Sequence, residues 1–201
     1  MLLTAFATAA VGATTGSFVL ALMAALAVGL ALSMLHGFGC VSHRGDQVVM
    51  GMAITMTAAG LTVVLGMAWF RQGGQTPPLP EGVRLQPWLQ GLGEGLSAVP
   101  VVGRTLALAL TGHNALVYAT AALVFLVWWL LYRTRFGLRL RAVGENPAMV
   151  DTAGISVTRL RYAGVLIAGA LCGLAGTYLV LAQNASFTPG TRTSRKKRAR
   201  R

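Results

Sequence analysis

Charge is what this chain lacks. Only 11% of its 201 residues are charged and only five are acidic, whereas soluble domains carry about 25% charged residues. That scarcity argues against an ordinary water-soluble globule. Cysteine is sparse too. Cys40 and Cys172 stand alone, without a CxxC or any metal-type spacing, and read as small packing residues. No GxxxxGK[ST] phosphate loop occurs, so ATP hydrolysis is not encoded here. The strand alternation of a membrane barrel is missing. So is any charged residue inside the long apolar runs, which argues against the proton or ion relay of an ion-coupled secondary transporter.

What the chain has is apolar length: 55% hydrophobic residues and a mean hydropathy of +0.64. A helix rises 1.5 Å per residue and the hydrocarbon core is about 30 Å thick, so about 18 apolar residues suffice to cross it. Phe18 to Leu35, Gln47 to Phe70, Asn114 to Tyr132 and Tyr162 to Ala182 reach that length. Met1 to Val11 is apolar but too short. It lacks the basic start of a signal peptide and reads as the end of a helix that begins further upstream. Backbone groups in lipid must be satisfied within their own segment. The expected fold is therefore all-α, a polytopic helical membrane protein with about four full spans plus a partial N-terminal one.

The breaks carry their own signals. "GATTG" and "HGFGCVSHRGD" separate the first three runs. His36, His43 and Asp46 sit at the second break without ligand spacing and are read as loop residues. Residues 71–112 hold five of the seven prolines (Pro77, Pro78, Pro80, Pro87, Pro100) and form a long loop, with an interfacial helix expected around "VVGRTLALAL". Gly169, Gly173 and Gly176 give the last run a small-residue face suited to close helix packing. Gln183 and Asn184, at its outer end, either touch solute or cap the span.

Positive charge has an address. The last ten residues, "RTSRKKRARR", contain seven of the seventeen basic groups. Residues 133–161 hold six arginines against Glu145 and Asp151, which assigns that loop to the cytoplasm and places 71–112 outside. Trp69, Trp88, Trp128, Trp129 and Tyr132 fall near the proposed boundaries, where aromatic rings prefer to sit. Only the basic tail disagrees, since it would end outside.

Within the cytoplasmic loop, "ENPAMVDTAG" reads as one short helix with its punctuation. Asn146 is a good N-cap, Pro147 suits the first helical position, and Gly154 supplies a left-handed closing residue. A rigid, roughly two-turn helix between two spans either docks a partner and transmits its motion, or merely connects. The wording favours docking. "GLRLRAVGENPAMVDTAGI", Gly137 to Ile155, resembles the coupling segment of permease subunits from bacterial ABC importers for simple sugars and nucleosides. That superfamily also holds ribose-type and branched-chain amino-acid permeases. "HNALVY", "AVPVVGRTL", "RGDQVVMGMAITMTAAGLT" and "AGVLIAGALCGLAGTYLVLAQNASFTPG" are similar to other parts of it.

The resemblance implies a permease that does no chemistry and binds no cofactor, metal or nucleic acid. Its implied partners are a cytoplasmic ATPase subunit, a second permease subunit, an external solute-binding protein or lipoprotein, and membrane lipid. On that reading Gly144, Glu145, Asn146, Pro147 and Ala148 contact the ATPase, with Arg139 and Arg141 flanking the contact. Residues 1–190 form a single transmembrane domain with an external loop at 71–112 and a cytoplasmic coupling loop at 133–161. The tail 191–201 lies outside the fold.

Relatives of this kind begin earlier, with a further span, and continue past "FTPG" with more. An incomplete permease is therefore expected, one that transports poorly or not at all, with the glycine face left without a partner. The tail is expected to be the product of a frameshift or truncation, with a functional tail binding phosphate or anionic lipid as the rival. A non-transporting membrane protein and a secondary-transporter fragment stand as alternatives.

Overall fold

The computed structural model describes residues 1–71, 76–77 and 115–183. All regular elements among the described residues are helical. Among the described residues three helices are long and apolar enough to cross a membrane, Phe18–Ser42, Gln47–Phe70 and Val157–Leu181. A further apolar helix, Val117–Arg133, is followed across a 71° bend by Arg135–Glu145. With the shorter apolar helix Leu2–Thr15, this is the all-α membrane architecture expected. Of the proline-rich loop only Arg71, Thr76 and Pro77 are described. The interfacial helix, Asn184 and the basic tail lie outside the described residues.

Contacts divide the chain into two compact units, Met1–Val83 with Tyr162–Arg201, and Arg84–Arg161. In the first, α1 (Leu2–Thr15) ends at Gly16, whose φ of +62° turns the chain directly into α2 (Phe18–Gly37). A π-helical turn, Phe38–Ser42, extends α2. Asp46 then caps α3 (Gln47–Phe70), its carboxylate accepting from the Val48 and Val49 amides at 2.7 and 3.4 Å. This is a structural duty for a residue expected only to sit in a loop. His36 packs its ring 3.6 Å from the Cys40 sulfur, and His43 packs on Phe38 with ring centroids 4.5 Å apart.

On α2 and α3 the packing places small residues inside and large ones outside. On α2 the buried positions are Ala21, Ala25, Gly29, Ser33 and Gly37, and on α3 they are Ala58, Thr62 and Gly66, all at four-residue spacing. Val19, Leu20, Met23, Met34, Met52, Met56 and Met67 point outward. Lipid tails solvate large apolar side chains as well as a protein interior does, so helix contact is left to small residues that let backbones approach. The 14 residues of α1 rise only about 21 Å, yet eight of them are buried. Helix α1 packs against α2 and α3, with Phe6 stacked on Trp69 at 6.4 Å, and its Thr4 and Thr8 meet Cys172 and Thr177 of α7 (Val157–Tyr178).

The glycine face of α7 has its partner within this chain, which corrects the expectation of an orphaned face. A Cβ on Gly169 would strike Ser33 and the Gly29 carbonyl. One on Gly173 would lie 3.0 Å from the Ala25 carbonyl, and one on Gly176 would strike Thr4. Threonines seam the same contact. The Thr4 hydroxyl donates to the Met1 carbonyl at 2.7 Å and lies 3.3 Å from the Cys172 carbonyl, and the Thr8 and Thr177 hydroxyls are 3.5 Å apart. Between α1, α2, α3 and α7 remains a cavity of about 410 Å³, lined by Thr4, Ser33, His36, Ile54 and Cys172 among others.

Candidate coupling site

The second unit contains the sequence-predicted site residues. Helix α4 (Ala115–Arg133) stops at Thr134, an N-cap whose hydroxyl oxygen accepts from the Gly137 amide at 3.2 Å and donates to the Leu130 carbonyl. The chain then turns into α5 (Arg135–Glu145). Glycine is required at 137, because a Cβ there would collide with the Leu130 and Leu131 carbonyls. Thus two helices, not one, lie between the spans. The single short helix expected from "ENPAMVDTAG" is only the second of them. The reason is the Thr134 cap, which restarts a helix within one residue of the end of α4.

Asn146 forms the corner. Its amide N–H bonds the Ala142 carbonyl at 3.0 Å, closing α5, and its side-chain oxygen accepts from Ala148 and Met149 at 3.1 and 3.3 Å, opening α6 (Pro147–Thr152). Pro147 occupies the first turn, as expected. Gly154, at φ +76°, closes α6 with two bonds: its own N–H to Asp151 at 2.9 Å, and that of Ile155 to Val150 at 3.3 Å. This paired closure satisfies carbonyls that a bare helix end leaves open. Val143, Val150 and Leu160 form a small buried cluster with Phe136, Leu140, Ile155 and Val157 packed around it. Val143 and Val150 thus pack α5 and α6 against Val157 and Leu160 at the start of α7.

The predicted residues divide between the elements. Arg139, Arg141, Gly144 and Glu145 lie on α5, Asn146 at the corner, Pro147 and Ala148 on α6. All are exposed except Pro147, which is half-buried. Asn146 has committed its side-chain oxygen to the cap, so it positions α6. Gly144 has open space around its missing Cβ. Sequence reasoning passed over Met149 and Leu138, each 68% exposed. Helical periodicity held the signal for Met149, which sits about 100° around α6 from the inward-facing Val150. The result is a corner of exposed Gly144, Glu145, Ala148, Met149, Asp151 and Thr152 on a prefolded support. Among the described residues no group of His, Cys, Asp and Glu is arranged to hold a metal ion.

Residues 1–193 match the family described as branched-chain amino acid transport system / permease component. A provisionally named glucose ABC transporter permease of Haloferax volcanii is 35% identical over 92% of this chain and 53% of its own length. The guanosine ABC transporter permease of Bacillus subtilis is 37% identical over 86% of this chain and 51% of its own. The nucleoside ABC transporter permease of Lactococcus lactis is 36% identical over 82% and 49%. The chain spans about half the length of the curated relatives it matches. No solved structure matches it.

Proposed function

Because the chain belongs to the branched-chain amino acid transport permease family, we propose that it forms part of the translocation path of an ATP-binding cassette importer for a simple sugar or nucleoside. It is a multi-pass protein of the cytoplasmic membrane. Its family is a transport component and not an enzyme, so the energy of ATP hydrolysis must reach it from a partner. Glucose, guanosine and nucleosides are the solutes of the relatives named above, which supports a polyhydroxylated solute here. The partners on this reading are a cytoplasmic ATPase, a second permease subunit and an external solute-binding protein.

The observation that carries the reading is the α5–α6 corner. It presents Gly144, Glu145, Ala148 and Met149 outward while Val143 and Val150 pin it from behind. An exposed methionine beside a helix corner suits a hydrophobic anchor for a cleft in the ATPase, with Arg139 and Arg141 flanking. The test is co-purification from host membranes, with the captured subunit identified by mass spectrometry as an ATP-binding cassette ATPase. Glu145→Arg and Met149→Asp should each reduce capture at least about tenfold, the scale of an interface hot spot, while leaving membrane insertion unchanged. Undiminished capture by both variants would reduce the corner to a connector.

A further inference from the structure

Helix α4 ends in a ladder of aromatic rings. Phe125 and Trp128 lie 5.7 Å apart, Trp128 and Tyr132 6.3 Å apart, and Trp128, Trp129 and Tyr132 are all exposed. Such rings settle at the level of lipid headgroups. Helix α5 leaves α4 at 71°, so it crosses the end of the span and does not continue it. Arg141 reaches back to the end of α4, its guanidinium 4.8 Å from the centre of the Tyr132 ring. The outward face of α5 presents Arg135, Arg139 and Arg141 around the exposed Leu138, with Arg133 just before the bend, and all four arginines are exposed. Among the described residues none of the four is paired with a carboxylate.

We infer that this face of α5 is a binding surface for anionic phospholipid headgroups. Each guanidinium presents a planar fork of N–H donors matched to phosphate oxygens. Leu138, between the arginines, enters the acyl boundary as the apolar residues of an interfacial helix do. The inward face, Phe136, Leu140 and Val143, is occupied by the unit's own core, so lipid meets only the outer one. The inference is independent of ATPase docking. It assigns a ligand to arginines that the corner's contact surface leaves flanking, and a lipid bound there holds α5 at a fixed depth beneath α6.

The 201-residue chain is placed in vesicles of equimolar phosphatidylcholine and phosphatidylglycerol, with Trp69→Phe and Trp88→Phe so that emission comes from Trp128 and Trp129. Brominated acyl chains are carried by one lipid or the other. Brominated phosphatidylglycerol should quench more strongly than brominated phosphatidylcholine. The ratio should fall to unity when Arg133, Arg135, Arg139 and Arg141 become Gln, since one surface arginine is worth about fivefold in anionic-lipid affinity. The milder pair Arg135→Gln with Arg139→Gln should lower the ratio part of the way. Gln at every basic position of 192–201 should leave it unchanged. Equal quenching by both lipids in the parent overturns the inference, as does a ratio that survives the fourfold change. A ratio lost only with the tail variant gives the lipid to the tail. A surviving ratio with reduced ATPase capture gives the arginines to the protein partner.

Discussion

Replacing Gly29 by alanine should destabilise the first unit, and the sign is the informative part. A Cβ at Gly29 would lie 2.6 Å from the Gly169 carbonyl oxygen and 3.3 Å from the Gly173 Cα and N. All three are backbone atoms and cannot rotate aside. Restoring ordinary contact requires α2 and α7 to part by most of an ångström, which also loosens Gly169 on Ser33 and Gly173 on Ala25 and Leu26. Overpacking of this kind costs about 1–3 kcal/mol. Against it stands a gain of about 0.5–1 kcal/mol from removing a helix-interior glycine. The net expectation is a loss of about 1–2 kcal/mol. Gly60 on α3 is the control, because nothing lies within 4 Å of its missing Cβ, and there alanine should stabilise by about 0.5–1 kcal/mol. Unfolding is followed by SDS titration in mixed micelles, read by alkylation of the half-buried Cys172 in a Cys40→Ser background. The two variants should move the midpoint in opposite directions. If Gly29→Ala is as stable as Gly60→Ala, the close approach of α2 and α7 is not what holds the unit.

Asn146→Ala should cost α6 about 1 kcal/mol through the lost cap, and Gly154→Ala about 1–2 kcal/mol through the left-handed backbone. Both should speed amide exchange across Pro147–Thr152 while leaving α2 unchanged, and exchange that stays slow in both would deny the caps their role. For orientation, we expect Ser156→Cys, in a chain lacking Cys40 and Cys172, to react with an impermeant thiol reagent only after the cells are opened, and Ser97→Cys to react in intact cells. The reverse pattern would invert the assignment of the arginine-rich loop to the cytoplasm.

The sequence by itself determined the helical membrane class, because lipid admits no unsatisfied backbone and four runs are long enough to cross it. It also determined the punctuation of α6. Asn146, Pro147 and Gly154 act through bonds and backbone angles within a few residues of themselves, so their meaning is local. At Thr134 the signal was equally local: its hydroxyl caps α5 through the Gly137 amide, but it stands among charged residues that read as a loop. Tertiary structure alone decided which faces meet. Helices α2 and α3 are apolar all round, so no polar face marks the outside. In lipid the hydrophobic effect does not separate a buried leucine from an exposed one. What separates them is how closely two backbones can approach. That a Gly29 carbonyl finds a bare Gly169, or that Thr4 and Thr8 of the short helix α1 meet Cys172 and Thr177, depends on residues more than a hundred positions apart, and only folding brings those together.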